Sequence, residues 1–194
     1  QEYMKFAQKI CTERGVLLMI DEVQTGYGRT GSWFGFEHYG ISPDVVIMAK
    51  AMGNGMPIGG IWAKKEVAAV FKPGDHGSTF SGTAIATSAA RATIKEMQRL
   101  NAPQMAVDKG ALLTSLVQAI PQVVSVRGRG LLLGVELADG IDAKDIQLQL
   151  LKNGLVTNAV TGTALRLAPP LTVTPDEIRE AVAIIAAALK GVQS

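Results

Sequence analysis

Apolar and polar positions divide the chain into alternating helical and extended stretches. Tyr3, Phe6 and Ile10 recur at three- and four-residue spacing, which predicts an amphipathic helix over 2–13 stopped by Gly15. Two apolar runs follow, each closed abruptly by one ionisable residue: 16–20 by Asp21, and 45–49 by Lys50. Runs of about five Val, Ile and Leu residues without polar alternation predict strands buried on both faces. The sequence between them is rich in glycine and aromatics and long enough for a crossover between parallel neighbours. Ligand crevices of open α/β sheets lie beyond the carboxyl ends of the strands. Asp21 and Lys50 are therefore expected to reach one crevice from adjacent or nearby strands. A carboxylate and an amine placed this way suggest a cofactor clamp.

A further strand is expected over 58–63, after the turn Gly53-Asn54-Gly55-Met56-Pro57. The stretch 77–82 leads into an alanine-rich helix from about Thr83 to Arg99. Ser78 and Thr79 precede that helix. Hydroxyls there can hold a phosphate, because helix N-termini favour anions, or can simply cap the helix. Spacing alone leaves both readings open.

The pattern shifts near Asn101. A helix is expected from Pro103 to about Ile120, ended by Pro121. Two strands, 123–126 and 131–137, should flank a turn at Arg127-Gly128-Arg129-Gly130. A helix over about 143–152, capped by Asp142, should end before Gly154. Short strands follow at 155–158 and 164–168, and Thr174-Pro175-Asp176-Glu177 is a capping box with proline at N1, opening a last helix that ends before Gly191. The expected organisation is a sheet-forming domain over 1–100 and a small α/β domain over 101–194.

Composition narrows the function classes. With 194 residues, 47% of them hydrophobic, the chain suits one ordinary domain or two small ones. A net charge of +2 gives no broad field favouring nucleic acid or an acidic membrane. The single cysteine, Cys11, cannot form an intrachain disulfide, which is compatible with a reducing cytoplasm. No apolar stretch approaches the roughly 20 residues that span a bilayer, and no signal peptide is expected before the first helix. The start at Gln1, inside a helical pattern and without an initiator Met, is expected of a fragment. Gly26, Gly28 and Gly31 fit the dinucleotide fingerprint G-x-G-x-x-G after a strand. That fingerprint requires a helix opening at the third glycine, and Ser32-Trp33-Phe34-Gly35-Phe36 has no long helical period. A plain glycine-rich loop is the expectation, not a dinucleotide-dependent oxidoreductase. His38 and His76 lack metal-ligand spacing with Cys11 or each other, so no metal site is expected.

Several longer motifs carry a family resemblance. They are the run from Asp21-Glu22-Val23-Gln24 to Gly31, Ser42-Pro43-Asp44, the run from Ala49-Lys50-Ala51 to Gly60, and His76-Gly77-Ser78-Thr79-Phe80. Together they resemble the class III pyridoxal-phosphate aminotransferases, most closely the acetylornithine and ornithine aminotransferase branch. The run from Arg127 to Gly134 and Leu165-Arg166-Leu167-Ala168-Pro169-Pro170-Leu171 match the C-terminal domain of that branch. The resemblance implies the fold-type I architecture: a large α/β domain with a mostly parallel seven-stranded sheet, plus a small C-terminal α/β domain. The chain matches its second half, so 1–100 would be the second half of the large pyridoxal-phosphate-binding domain. An N-terminal half, with its phosphate-binding glycine loop and ring-stacking aromatic, and a second subunit would complete the site.

Roles follow by position. Lys50 matches the lysine that carries the cofactor as an imine and then shuttles a proton between substrate and cofactor carbons. Asp21 matches the carboxylate that keeps the pyridine nitrogen protonated, so that the ring acts as an electron sink. Without the motif, a snorkelling lysine and a strand-end aspartate suit the same residues. Val23 matches the residue packed on the ring face and Gln24 the one hydrogen-bonded near the phenolic oxygen. Ser78 and Thr79 match the pair reaching the phosphate of the partner subunit's cofactor. The family usually has Gly-Gly-Asn-Pro where this chain has Ser81-Gly82-Thr83-Ala84, a departure that bears on the branch more than on the cofactor. Arg166 matches an arginine near the substrate carboxylate, suited to bidentate pairing, although a structural ion pair is its other reading. Arg127 and Arg129 read as turn and surface residues.

The resemblance implies transfer of an amino group, from acetylornithine or an ornithine-like donor to 2-oxoglutarate, in a cytoplasmic homodimer serving arginine biosynthesis. The partners would be small amino and 2-oxo acids, with no nucleic acid and no membrane. Alternatives are a 4-aminobutyrate or other ω-amino acid aminotransferase and, from another class, a catalytically idle chain acting as a dimerisation or binding module.

Overall fold

The computed structural model describes residues 2–191, which form two units. The first takes the chain up to Gly28 together with Ser32–Ala102, and the second takes Arg29–Gly31 together with Pro103 onward. In sequence the long segments of the two units meet between Ala102 and Pro103. The sequence pattern does not foretell the inclusion of Arg29-Thr30-Gly31 in the second unit.

In the first unit, α1 (Glu2–Arg14) leads to β1 (Met19–Asp21), which pairs parallel with β2 (Val45–Met48). β3 (Gly60–Ala63) pairs antiparallel with the other side of β2, giving the order β1-β2-β3. A single helical turn, α2 (Lys65–Ala68), and the long helix α3 (Ala84–Arg99) complete it. Val45 and Val46 of β2 are buried, as a central strand requires.

β1 departs from the expectation of a strand buried on both faces. It is three residues long, and Val16, Leu17 and Met19 are more than half exposed. The reasons are local. The Val16 amide donates to Cys11 O at the end of α1 (2.9 Å), and the Leu18 amide donates to the Asp44 side chain (2.8 Å), so ladder pairing begins only at Met19. Among the described residues β1 is an edge strand, with a sheet neighbour on one side only.

Asp44 clips the three strands at the end of the sheet opposite Asp21. Its Oδ2 accepts from the amide before β1, and its Oδ1 accepts from Lys64 Nζ, just after β3, at 2.8 Å. Those bonds, that from Lys64 first, hold the Asp44 carboxyl below the usual carboxylate range.

The second unit is an antiparallel sheet of order β4-β5-β7-β6, built from β4 (Val123–Arg129), β5 (Leu132–Leu137), β6 (Asn158–Ala159) and β7 (Ala164–Leu167). Its helices are α4 (Ala102–Gln118), α5 (Ala143–Lys152) and α6 (Pro175–Lys190). Alternation on β5 buries Leu133, Val135 and Leu137. They join one apolar cluster with Leu113 and Val117 of α4, Ile146 and Leu150 of α5, and Ile178, Ile185 and Leu189 of α6. Caps expected from sequence form as hydrogen bonds: Asp142 accepts from the amides of Lys144 and Asp145, and Thr174 and Glu177 close the box that starts α6.

Two boundaries of the second unit differ from expectation for a local reason. Arg127-Gly128-Arg129 is strand rather than turn: the β4–β5 ladder runs to Arg129 opposite Leu132, and Arg127 pairs with Glu136 across it (2.9 Å). Residues 155–157 are not strand, because the Leu155 amide is taken by Leu150 O at the end of α5 (2.9 Å). Among the described residues, no helix is long and apolar enough to cross a membrane and no group of His, Cys, Asp and Glu could hold a metal ion.

Candidate functional site

The parallel pairing of β1 with β2 sets the geometry of the candidate site. Asp21, the last residue of β1, lies opposite Ile47, and the next amide, Glu22, donates to Ile47 O at 2.9 Å. Lys50 follows three residues after Ile47, just past the end of β2. Both ionisable residues thus leave the sheet at the carboxyl ends of adjacent strands, where α/β sheets place their ligands.

Lys50 takes a left-handed backbone conformation, φ 46°, and opens a 3-10 turn over Lys50–Met52. The turn is closed by bonds from the Met52 amide to Ala49 O and from the Gly53 amide to Lys50 O (3.0 and 3.1 Å), and α3 packs against it. A non-glycine residue in this region costs on the order of 1 kcal/mol, and such strain concentrates at functional positions. The Lys50 side chain is exposed.

Asp21 is exposed too, and its Oδ1 accepts from the Val23 amide (2.9 Å). Val23 is half-buried and Gln24 exposed, in the turn that leaves β1. That turn is organised by Glu22, whose importance the sequence reading missed. Only 1% exposed, Glu22 accepts from Thr25 Oγ1 and the Gly35 amide (2.9 Å) on Oε2, and from the Phe36 amide (2.8 Å) on Oε1. Strand geometry was the available signal: the residue after an outward Asp21 faces the other way, into a stretch crowded with glycine and aromatics. There Tyr27 packs edge-on against Phe34, which stacks on Phe36, and burial raises the Tyr27 hydroxyl above its ordinary pKa.

Glycines 26, 28 and 31 open no helix. Turns follow them, then a 3-10 helix over Gly35–Tyr39.

Ser78 and Thr79 lie in the first unit, in a loop whose residues 71–82 are all exposed. They do not cap α3, whose N-cap position is Thr83, without a side-chain cap bond. The described hydrogen bonds of Ser78 are local, to Phe80 and Ser81. His76 lies against the Phe71 ring, and His38 Nδ1 is 3.4 Å from Ser32 Oγ.

Arg166 belongs to the second unit. On β7 it stands between Gly134 and Asn158, and its Nη2 donates to Asn158 Oδ1 at 3.1 Å. It lines a cavity of about 310 Å³ within that unit, walled by Leu155, Pro169, Val173 and Ile178. Arg29, from the same motif as Asp21, is also built into the second unit. Its Nη1 donates to Leu131 O (3.3 Å) and to Pro169 O, and burial pulls its pKa below the ordinary arginine range.

Comparison with known proteins gives this arrangement a family. The sequence pattern of the family described as Aminotransferase class-III matches residues 1–189. The acetylornithine aminotransferase of Bacillus subtilis is 45% identical over 184 residues, 93% of this chain and 47% of that protein. The solved ornithine aminotransferase of Toxoplasma gondii superposes with a TM-score of 0.89 at 33% identity, over 97% of this chain and 46% of its own. Another structure of that enzyme reveals partial occupancy of PLP at its active site. The acetylornithine aminotransferase of Elizabethkingia anophelis superposes with a TM-score of 0.87 at 33% identity, over 98% of this chain and 49% of its own. The chain thus spans about half the length of these relatives, and its fold is the α/β fold of the fold-type I, pyridoxal-phosphate-dependent transferases. It belongs to the class III aminotransferases.

Proposed function

We propose that the protein carrying this chain transfers the terminal amine of acetylornithine, or of an ornithine-like donor, to 2-oxoglutarate with pyridoxal phosphate as cofactor. The observation that carries the proposal is the pairing of a strained, exposed Lys50 with Asp21 at the carboxyl ends of adjacent parallel strands. The names of the relatives support the donor class.

The residues present fit the cofactor by their chemistry. A primary amine suits its aldehyde, a carboxylate its pyridine nitrogen, and hydroxyls its phosphate. Lys50 Nζ would hold the aldehyde carbon, Asp21 would keep the ring nitrogen protonated, Val23 would pack on the ring, and Gln24 would hydrogen-bond near the phenolic oxygen. When bound, pyridoxal phosphate supplies an electron sink for the carbanion left when the amine-bearing carbon loses its proton. Lys50 Nζ, once the donor amine has displaced it from the aldehyde carbon, would carry that proton from the amine-bearing carbon to the cofactor carbon, as a flexible amine placed beside both can. Arg166 would pair with the substrate carboxylate.

The first unit is proposed to be the second half of the cofactor-binding large domain, and the second the small C-terminal domain. Ser78 and Thr79 would reach the phosphate of a second subunit's cofactor in a homodimer. Large apolar side chains left in the open support completion by a further half and a second subunit. Phe80 is 82% exposed and Ile61 69%. A cytoplasmic place in arginine biosynthesis accords with this reading.

The test is a donor panel on the full-length protein, with 2-oxoglutarate as acceptor. The expected kcat/KM for N-acetylornithine or ornithine exceeds that for 4-aminobutyrate by about tenfold or more. The reverse order would make it an ω-amino acid enzyme, and no transfer from any of the three would overturn the proposal.

A further inference from the structure

Glu22 is a buried carboxylate beside the candidate site to which the functional reading gives no task. Its two sides hold different parts of one loop. The main chain closes a tight turn, because the Gly26 amide donates to Glu22 O at 2.9 Å. That turn contains Val23 and Gln24, the residues assigned to the ring face and the phenolic oxygen. The side chain ties that turn, through Thr25 Oγ1, to the returning part of the loop, through the amides of Gly35 and Phe36.

The fit around the carboxylate is close. A Cβ at Gly35 would lie 3.1 Å from Thr25 Cβ and 3.3 Å from Glu22 Oε2, and one at Gly26 would lie 2.8 Å from Glu22 O. Three donors converge on a side chain shielded from water, so the loop is fixed by its bonds to one anion. The amide immediately before this carbonyl is itself held in the β1–β2 ladder by Ile47 O. Asp21 and the 23–25 turn are therefore attached to the sheet and to the loop through one residue.

We infer that Glu22 is a positioning residue, which sets Asp21, Val23 and Gln24 against the cofactor ring by holding the 22–36 loop closed. The inference rests on the proposed binding of pyridoxal phosphate at Lys50. It assigns Glu22 no contact with cofactor or substrate. Glu22→Gln keeps the size of the side chain but turns an amide NH2 towards donors, so the loop loses part of its anchorage.

The test uses the full-length protein and three readouts: pyridoxal phosphate affinity by absorbance titration, the pH midpoint of the bound cofactor's visible band, and melting temperature. In Glu22→Gln the affinity is expected to fall about tenfold or more, and the midpoint to move by about half a unit or more. Thr25→Val removes one donor without changing charge and should shift both in the same direction, by less; it decides the matter if Glu22→Gln does not fold. Lower melting temperature with unchanged affinity and midpoint would make Glu22 a stabilising residue only and overturn the inference. If the unmodified protein does not bind the cofactor at Lys50, the functional reading itself falls. If it binds and both variants match it, only the role of Glu22 falls.

Discussion

Asp21 and Lys50 end neighbouring parallel strands, with Asp21 opposite Ile47 and Lys50 three residues further along. The carboxylate's described bond is local, to the Val23 amide. Asp21→Asn keeps that acceptor and removes the charge. It should lower transaminase kcat by about a hundredfold or more, the scale for losing a preorganised electrostatic partner. Because the side chain is exposed, the melting temperature should hardly move. Steady-state kinetics with thermal melts separate these outcomes.

The Asp44 clip predicts an acid-sensitive first unit. Its carboxyl titrates below the unfolded value of about 3.9, so its stabilisation is present above that value and fades as pH falls through the lower native value. Asp44→Ala should cost about 1–2 kcal/mol at pH 7. The gap between the two proteins should narrow in urea melts below about pH 4.

Arg29 predicts a stability effect in the second unit from a residue in the first unit's motif. Arg29→Ala strips Leu131 O and Pro169 O of a half-buried donor. A loss of about 1–3 kcal/mol is expected. It should appear in hydrogen exchange as faster opening of amides in β5 and β7.

These cases show what the sequence made legible. Apolar runs closed by Asp21 and Lys50 marked the strand ends because hydropathy and charge change within one residue there. The caps at Asp142 and Thr174 were legible because capping is a contact between near neighbours. What escaped depends on distant partners. β1 is short because Leu18 turns to Asp44, 26 residues on. Glu22 is buried because the chain returns at Gly35 and Phe36. Arg29 reaches Leu131 and Pro169, more than 100 residues away, and no local pattern foretells it.

Arg166 tests the substrate reading. Its described bond is to Asn158 near the edge of the second unit's sheet. Arg166→Ala should reduce kcat/KM for the amino donor by roughly 10- to 100-fold, mainly through KM, with little change in stability. An unchanged KM would assign the residue to the sheet alone.

Lys50 is proposed to hold the cofactor. The direct measurement is borohydride reduction of the full-length protein loaded with pyridoxal phosphate, followed by peptide mass mapping. One phosphopyridoxyl group is expected, on Lys50, with loss of that label and of the visible band in Lys50→Ala. A label on another lysine, or none in the loaded full-length protein, would contradict it.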